Sequence, residues 1–159
     1  MNSNIDKIIN DAVNAYMTKE KSIDNMSLSL ARKLVYKVEE KASEMGVKAV
    51  VAVSDKSGRP IIVECMDDSY IASYDIALNK AFTSVSLKMS TKTLSSLSQP
   101  GASLYGIQFT NGGKIVIFGG GETLESNSKI IGGVGVSGGT EEQDTALAAY
   151  AKEIFTKLI

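Results

Sequence analysis

The chain has 159 residues and no histidine, no tryptophan, a single cysteine and two prolines. Without histidine there is no Ser-His-Asp or Cys-His pair and no imidazole general base. A structural zinc site takes four ligands, mostly Cys and His, and this chain offers one such residue in total. One cysteine forbids an internal disulfide, which fits a reducing compartment. Seventeen basic against eighteen acidic residues leave a net charge of −1, with the lysines scattered, so a nucleic-acid partner is not expected. Long hydrophobic runs are missing too: the longest, Ala49-Val50-Val51-Ala52-Val53, is about five residues, where a membrane span needs about 20. Polar residues break up the N-terminus as a secretory signal, so the expected location is cytoplasmic.

What is present is organised by glycine. Twelve of the 14 glycines lie between Gly101 and Gly139, leaving the first hundred residues free to form long helices. Residues 5–17 repeat Ile5, Ile8, Ile9, Ala12, Val13 and Tyr16 on one face, an amphipathic helix, and residues 18–26 form a polar linker. The remainder, 27–159, reads as one domain. In it, helices are expected over 27–45, ended by Gly46, then over 71–88 and 91–97, and last from Thr140, where Gln143 completes a capping box. Five strands are expected, at 47–54, 60–66, 105–110, 114–118 and 130–136. Hairpin-linked strands flanked by helices predict an α+β fold with a five-stranded antiparallel sheet.

Several motifs carry two readings each. Gly133-Val134-Gly135-Val136-Ser137-Gly138 matches G-x-G-x-x-G, but only 21 residues follow, too few for a βαβ dinucleotide unit. Glu141 and Glu142 then occupy the helix N-terminus that a pyrophosphate would need. Gly133, Gly135 and Gly138 instead read as a turn that lets backbone approach backbone, or a ligand. Gly119-Gly120-Gly121 is either a tight bend or a surface for a flat ligand. Lys80, mid-helix on a flank of small apolar residues, either snorkels or anchors an anion. Asp67 and Asp68 are adjacent carboxylates that do not converge, which suits turns or caps rather than an acid/base pair. Cys65 falls on the more apolar face of its strand and reads as an inert core thiol. The N-terminal helix either docks on its own domain or a sister subunit, or detaches to enter a partner's groove.

Taken together, Val53-Ser54-Asp55…Gly58, Met66-Asp67-Asp68, Ala77-Leu78-Asn79-Lys80-Ala81, Phe118-Gly119-Gly120-Gly121, Ile131 through Gly139 and Gln143-Asp144 occur in a familiar order. Over about residues 28–157 the chain resembles the GlcG/HbpS-like haem-degrading-domain family. Lys88-Met89-Ser90-Thr91, Gln99-Pro100-Gly101 and Leu104-Tyr105-Gly106-Ile107 make it most similar there to the C-terminal domain of PduO-type cobalamin adenosyltransferases. The resemblance implies a profilin-like fold, homo-oligomers and binding of haem or a related tetrapyrrole. Adenosyl transfer belongs to a separate helical domain of PduO-type proteins and is not expected of these residues; a binding role is favoured over catalysis. With no histidine, haem iron would take Tyr, Met, Cys or Lys, or no strong protein ligand. Glu122-Thr123 stands where the family commonly has proline, altering the expected pocket rim.

On this reading the cofactor-binding residues are Lys80, pairing with a propionate, the glycines 119–121, 133, 135 and 138, and more weakly Asp67 and Tyr105. PduO-type proteins work with bacterial microcompartments, so residues 1–17 are expected to act as an encapsulation peptide that meets a shell protein. The alternatives are an assembly protein with a vestigial pocket, or a redox enzyme dependent on an added cofactor.

Overall fold

A computed structural model describes residues 3–17 and 23–159. The elements are α1 (Ser3–Met17), α2 (Leu28–Glu44), β1 (Val50–Asp55), β2 (Pro60–Cys65), α3 (Ser73–Leu87), α4 (Thr91–Leu97), β3 (Gly121–Ser126), β4 (Lys129–Ser137) and α5 (Glu141–Leu158). The linker expected at 18–26 lies mostly outside the described residues. Among the described residues, no helix is long and apolar enough to cross a membrane.

The α+β class holds, but the described sheet has four strands, in the order β2-β1-β4-β3, all antiparallel. The two strands expected at 105–110 and 114–118 do not form. Gly106, Asn111, Gly112 and Gly113 all take positive φ, which breaks the extended backbone into 3₁₀ turns at Ile107–Phe109 and Asn111–Gly113. Segment 114–118 is held by a side chain rather than a strand: Thr83 Oγ1 donates to the Lys114 carbonyl and accepts from the Val116 N–H. The strand that sequence reading passed over is β3, joined to β4 by Asn127-Ser128, both left-handed, as a tight two-residue hairpin turn requires.

Alternation along β1 sends Val51 and Val53 to the main core with α2 and α5, and Val50 and Ala52 to a smaller cluster with Ala77 and Ala81 of α3. Helices thus cover both faces. Ser27 caps α2 through its hydroxyl, and Thr140 with Gln143 closes the expected capping box on α5. The glycines of β4 explain why α3 lies so close to the sheet. A Cβ on Gly133 would meet the Ala81 carbonyl at 2.7 Å, and one on Gly135 would collide with the Ala77 carbonyl. Their purpose is therefore helix-on-strand packing inside a strand, and no turn is formed there.

Candidate functional site

Strand β2 is an edge strand, and α2 packs beside it so that a groove of about 450 Å³ opens between them. Its walls are Tyr36, Glu39, Glu40 and Ser43 from α2, Lys48 ahead of β1, and Cys65, Met66 and Asp67 at the end of β2. The helical spacing 36, 39, 40, 43 puts the first four on one face, opposite the buried Leu34, Val35 and Val38. Two further depressions continue around the same end of the sheet. One of about 220 Å³ shares Lys48 with the groove and adds Tyr70, Gly138 and Gly139; the next, about 260 Å³, shares those three and reaches Ser73, Phe118, Glu141 and Asp144.

Cys65 is exposed, which corrects its expected place in the core: it stands opposite Val50 at the last residue of an edge strand, on the sheet face turned away from α2, and only borders the groove. The Met66 thioether accepts the Ala49 N–H at 3.4 Å. Burial lifts the Glu39 carboxyl above its usual range, with Glu64 adding to the effect. The Tyr36 phenol is held protonated by its hydrogen bond to Glu40, whose own carboxyl is lowered chiefly by Lys37.

The sequence-predicted residues are dispersed. Asp67 lines the groove, and Gly138 lines the two smaller depressions. Tyr105 is exposed in the turn region before Ile107 and borders none of the three. Lys80, expected to hold out a charge to a propionate, is 0% exposed: its Nζ donates to Asp144 Oδ2 at 2.9 Å and to the Val136 carbonyl at 2.8 Å, and lies 4.9 Å from the Phe118 ring centre. Burial pulls its ammonium below the ordinary lysine range, and Asp144 opposes that pull.

The triple glycine is consumed by the protein itself. Gly119 N–H donates to Glu141 Oε1, Gly121 N–H to Thr91 Oγ1, and a Cβ on Gly120 would run into Lys80 Nζ. Space that a flat ligand would need there is taken by α3 and α5. What sequence reading missed is Tyr36, Lys48 and the exposure of Cys65. The i, i+3, i+4, i+7 run of Tyr36, Glu39, Glu40 and Ser43 was the available signal.

A haem can be tested against this donor set. Among the described residues no cluster of three His, Cys, Asp or Glu side chains is placed to hold a bare metal ion. The groove nevertheless brings together one phenol, one thioether and one ammonium, three of the donor types left to a chain without histidine. Its volume lies within the usual range for cofactor sites, about 300–1,000 Å³, and the two neighbouring depressions fall below it. These donor types fit a tetrapyrrole: Met66 would hold its iron and Lys48 a carboxylate.

The comparisons agree with this architecture. The model of the family described as "Haem degrading protein HbpS-like" matches residues 26–153. The chain is 46% identical over 142 residues to a Citrobacter freundii protein called "Uncharacterized 15.0 kDa protein in dhaT-dhaS intergenic region", covering 89% of this chain and all of that one. It is 41% identical over 112 residues to the corrinoid adenosyltransferase PduO of Salmonella typhimurium, covering 70% of this chain but 33% of PduO. Among solved structures, a PduOC:heme complex superposes with a TM-score of 0.78 at 37% identity, covering 81% of this chain and 94% of that one. The chain belongs to the HbpS-like haem-degrading protein family and is similar to the C-terminal part of PduO.

Proposed function

We propose that this protein is a non-catalytic, homo-oligomeric binding module of profilin-like architecture that holds haem or a related tetrapyrrole without histidine, inside a bacterial microcompartment. The observation that carries the binding reading is the likeness to a domain whose solved structure is a heme complex. The groove between α2 and β2 supplies the donors. Haem would bring its own iron and ring; Met66 would meet the metal, Lys48 a carboxylate, and Asp67 would border the site. Lys80 and the glycines at 119–121, 133 and 135 fix α3 and α5 to the sheet and lie outside the groove.

Self-association is supported by Tyr70, 73% exposed, Ile71, 97% exposed, and Tyr74 at the start of α3, apolar surface that a second copy would cover. Targeting is supported by α1, where Ile5, Ile8 and Ile9 remain 53–62% exposed. Location in the cytoplasm follows on this reading. A hemin titration followed by absorbance tests the binding claim. Wild-type protein should give a saturable Soret shift, and a Met66→Leu variant should move both the band and its midpoint. No saturable shift in the wild type would refute it and favour an assembly role.

A further inference from the structure

At the opposite end of the sheet from the groove, three lysines from three chain segments surround a depression of about 390 Å³. Lys56 comes from the β1–β2 hairpin, Lys88 from the C-cap of α3, and Lys129 from the first position of β4. Val85, Ile130 and Ser128 complete the lining, and no carboxylate belongs to it.

The backbones of the three lysines are fixed while their side chains are free. Lys56 N–H donates to Asn25 Oδ1, Lys88 is held left-handed with its N–H on the Val85 carbonyl, and Lys129 pairs with Ser126 across the hairpin. Lys37, Lys41, Lys80, Lys92, Lys152 and Lys157 all have carboxylate partners; among the described residues Lys56, Lys88 and Lys129 have none, as is also true of Lys33, Lys48 and Lys114, and what sets the three apart is that they line one depression. A chain of net charge −1 thus gathers three unneutralised ammonium groups around one recess with a partly apolar floor.

We infer that this depression is a second binding site, for a small organic polyanion: carboxylate or phosphate groups on an apolar body. The ammonium groups supply charge-assisted hydrogen bonds to the anionic oxygens, and Val85 and Ile130 take the carbon skeleton. The site is independent of the tetrapyrrole reading, because it shares no residue with the groove.

The test is a titration of isotope-labelled full-length protein with trimesate (a benzene tricarboxylate), phenyl phosphate and benzyltrimethylammonium at low salt, read by NMR. Trimesate or phenyl phosphate should saturate shifts at Val85, Ile130 and the three lysines, and the stronger of the two names the preferred anionic group. Each of Lys56→Gln, Lys88→Gln and Lys129→Gln should weaken binding about two- to fivefold, as expected for one exposed charge pair. The triple variant should abolish it, with the fold kept because all three side chains are exposed. Salt should weaken binding by screening. Absence of saturable shifts with both anions overturns the site, as does equal response to the cation or unchanged binding by the triple variant. A failed hemin titration leaves this result untouched.

Discussion

Lys80 Nζ and Asp144 Oδ2 lie 2.9 Å apart with both side chains buried, so the ammonium of α3 is fastened to the first turn of α5 beside the last residues of β4. Asp144 also accepts the Gly139 N–H through Oδ1, and Lys80 also reaches the Val136 carbonyl. Removing one partner strands a charge in the interior. Lys80→Ala or Asp144→Ala should cost about 3–5 kcal/mol, the range for breaking a buried pair. That corresponds to a Tm drop of roughly 6–20 °C for a domain of this size, read by calorimetry. The double change Lys80→Met/Asp144→Leu should recover much of the loss. A Lys80→Ala protein as stable as wild type would show that the pair does not hold α3 to α5.

Gly135 sets the distance between α3 and the sheet. Gly135→Ala pushes a methyl against the Ala77 carbonyl and the Ala81 backbone nitrogen, atoms that cannot move without shifting the helix. Overpacking of this kind costs about 1–3 kcal/mol. Denaturant unfolding should show a lowered midpoint with an unchanged slope. An unaffected midpoint would mean that α3 does not seat on β4 as described.

Cys65 should react with a disulfide reagent such as DTNB in native buffer, to one thiol per chain, because it is exposed at the end of an edge strand. A thiol that reacts only after unfolding would return Cys65 to the core.

The apolar stripe of α1 gives a cellular test. A fluorescent fusion carrying residues 1–20 should enter microcompartments, and Ile5→Asp/Ile9→Asp should leave it in the surrounding cytoplasm. Equal enrichment of the two fusions would sink the targeting role.

How far the chain could be read depended on whether the deciding contact was local. The periodicity of α2 and α5, the Ser and Thr caps and the buried run of β1 are local, and all appear in the structure. Tyr105, Ile107 and Phe109 mimic strand alternation, but the left-handed backbone at Gly106 turns the segment back on itself. β3 was hidden because its one fully buried large apolar side chain is Leu124, with Glu122 and Glu125 on either side, so its pattern is carried by packing rather than by composition. At the site, Lys80 could be picked out by its apolar flank. Its partner Asp144 lies 64 residues away, so only the fold reveals that the charge is already satisfied. Cys65 was misjudged because alternation says which face a residue takes but not that the strand lies at the sheet's edge.

The most direct test of the account is to locate the tetrapyrrole. Ferric hemin broadens nearby amide resonances, and zinc protoporphyrin supplies the diamagnetic control. The predicted result is broadening centred on Tyr36, Ser43, Lys48, Cys65, Met66 and Asp67, with Lys56, Lys88 and Lys129 at the far end of the sheet remaining sharp. Broadening centred on the three-lysine depression, or spread without a centre over the whole surface, would contradict the assignment of the groove as the tetrapyrrole site.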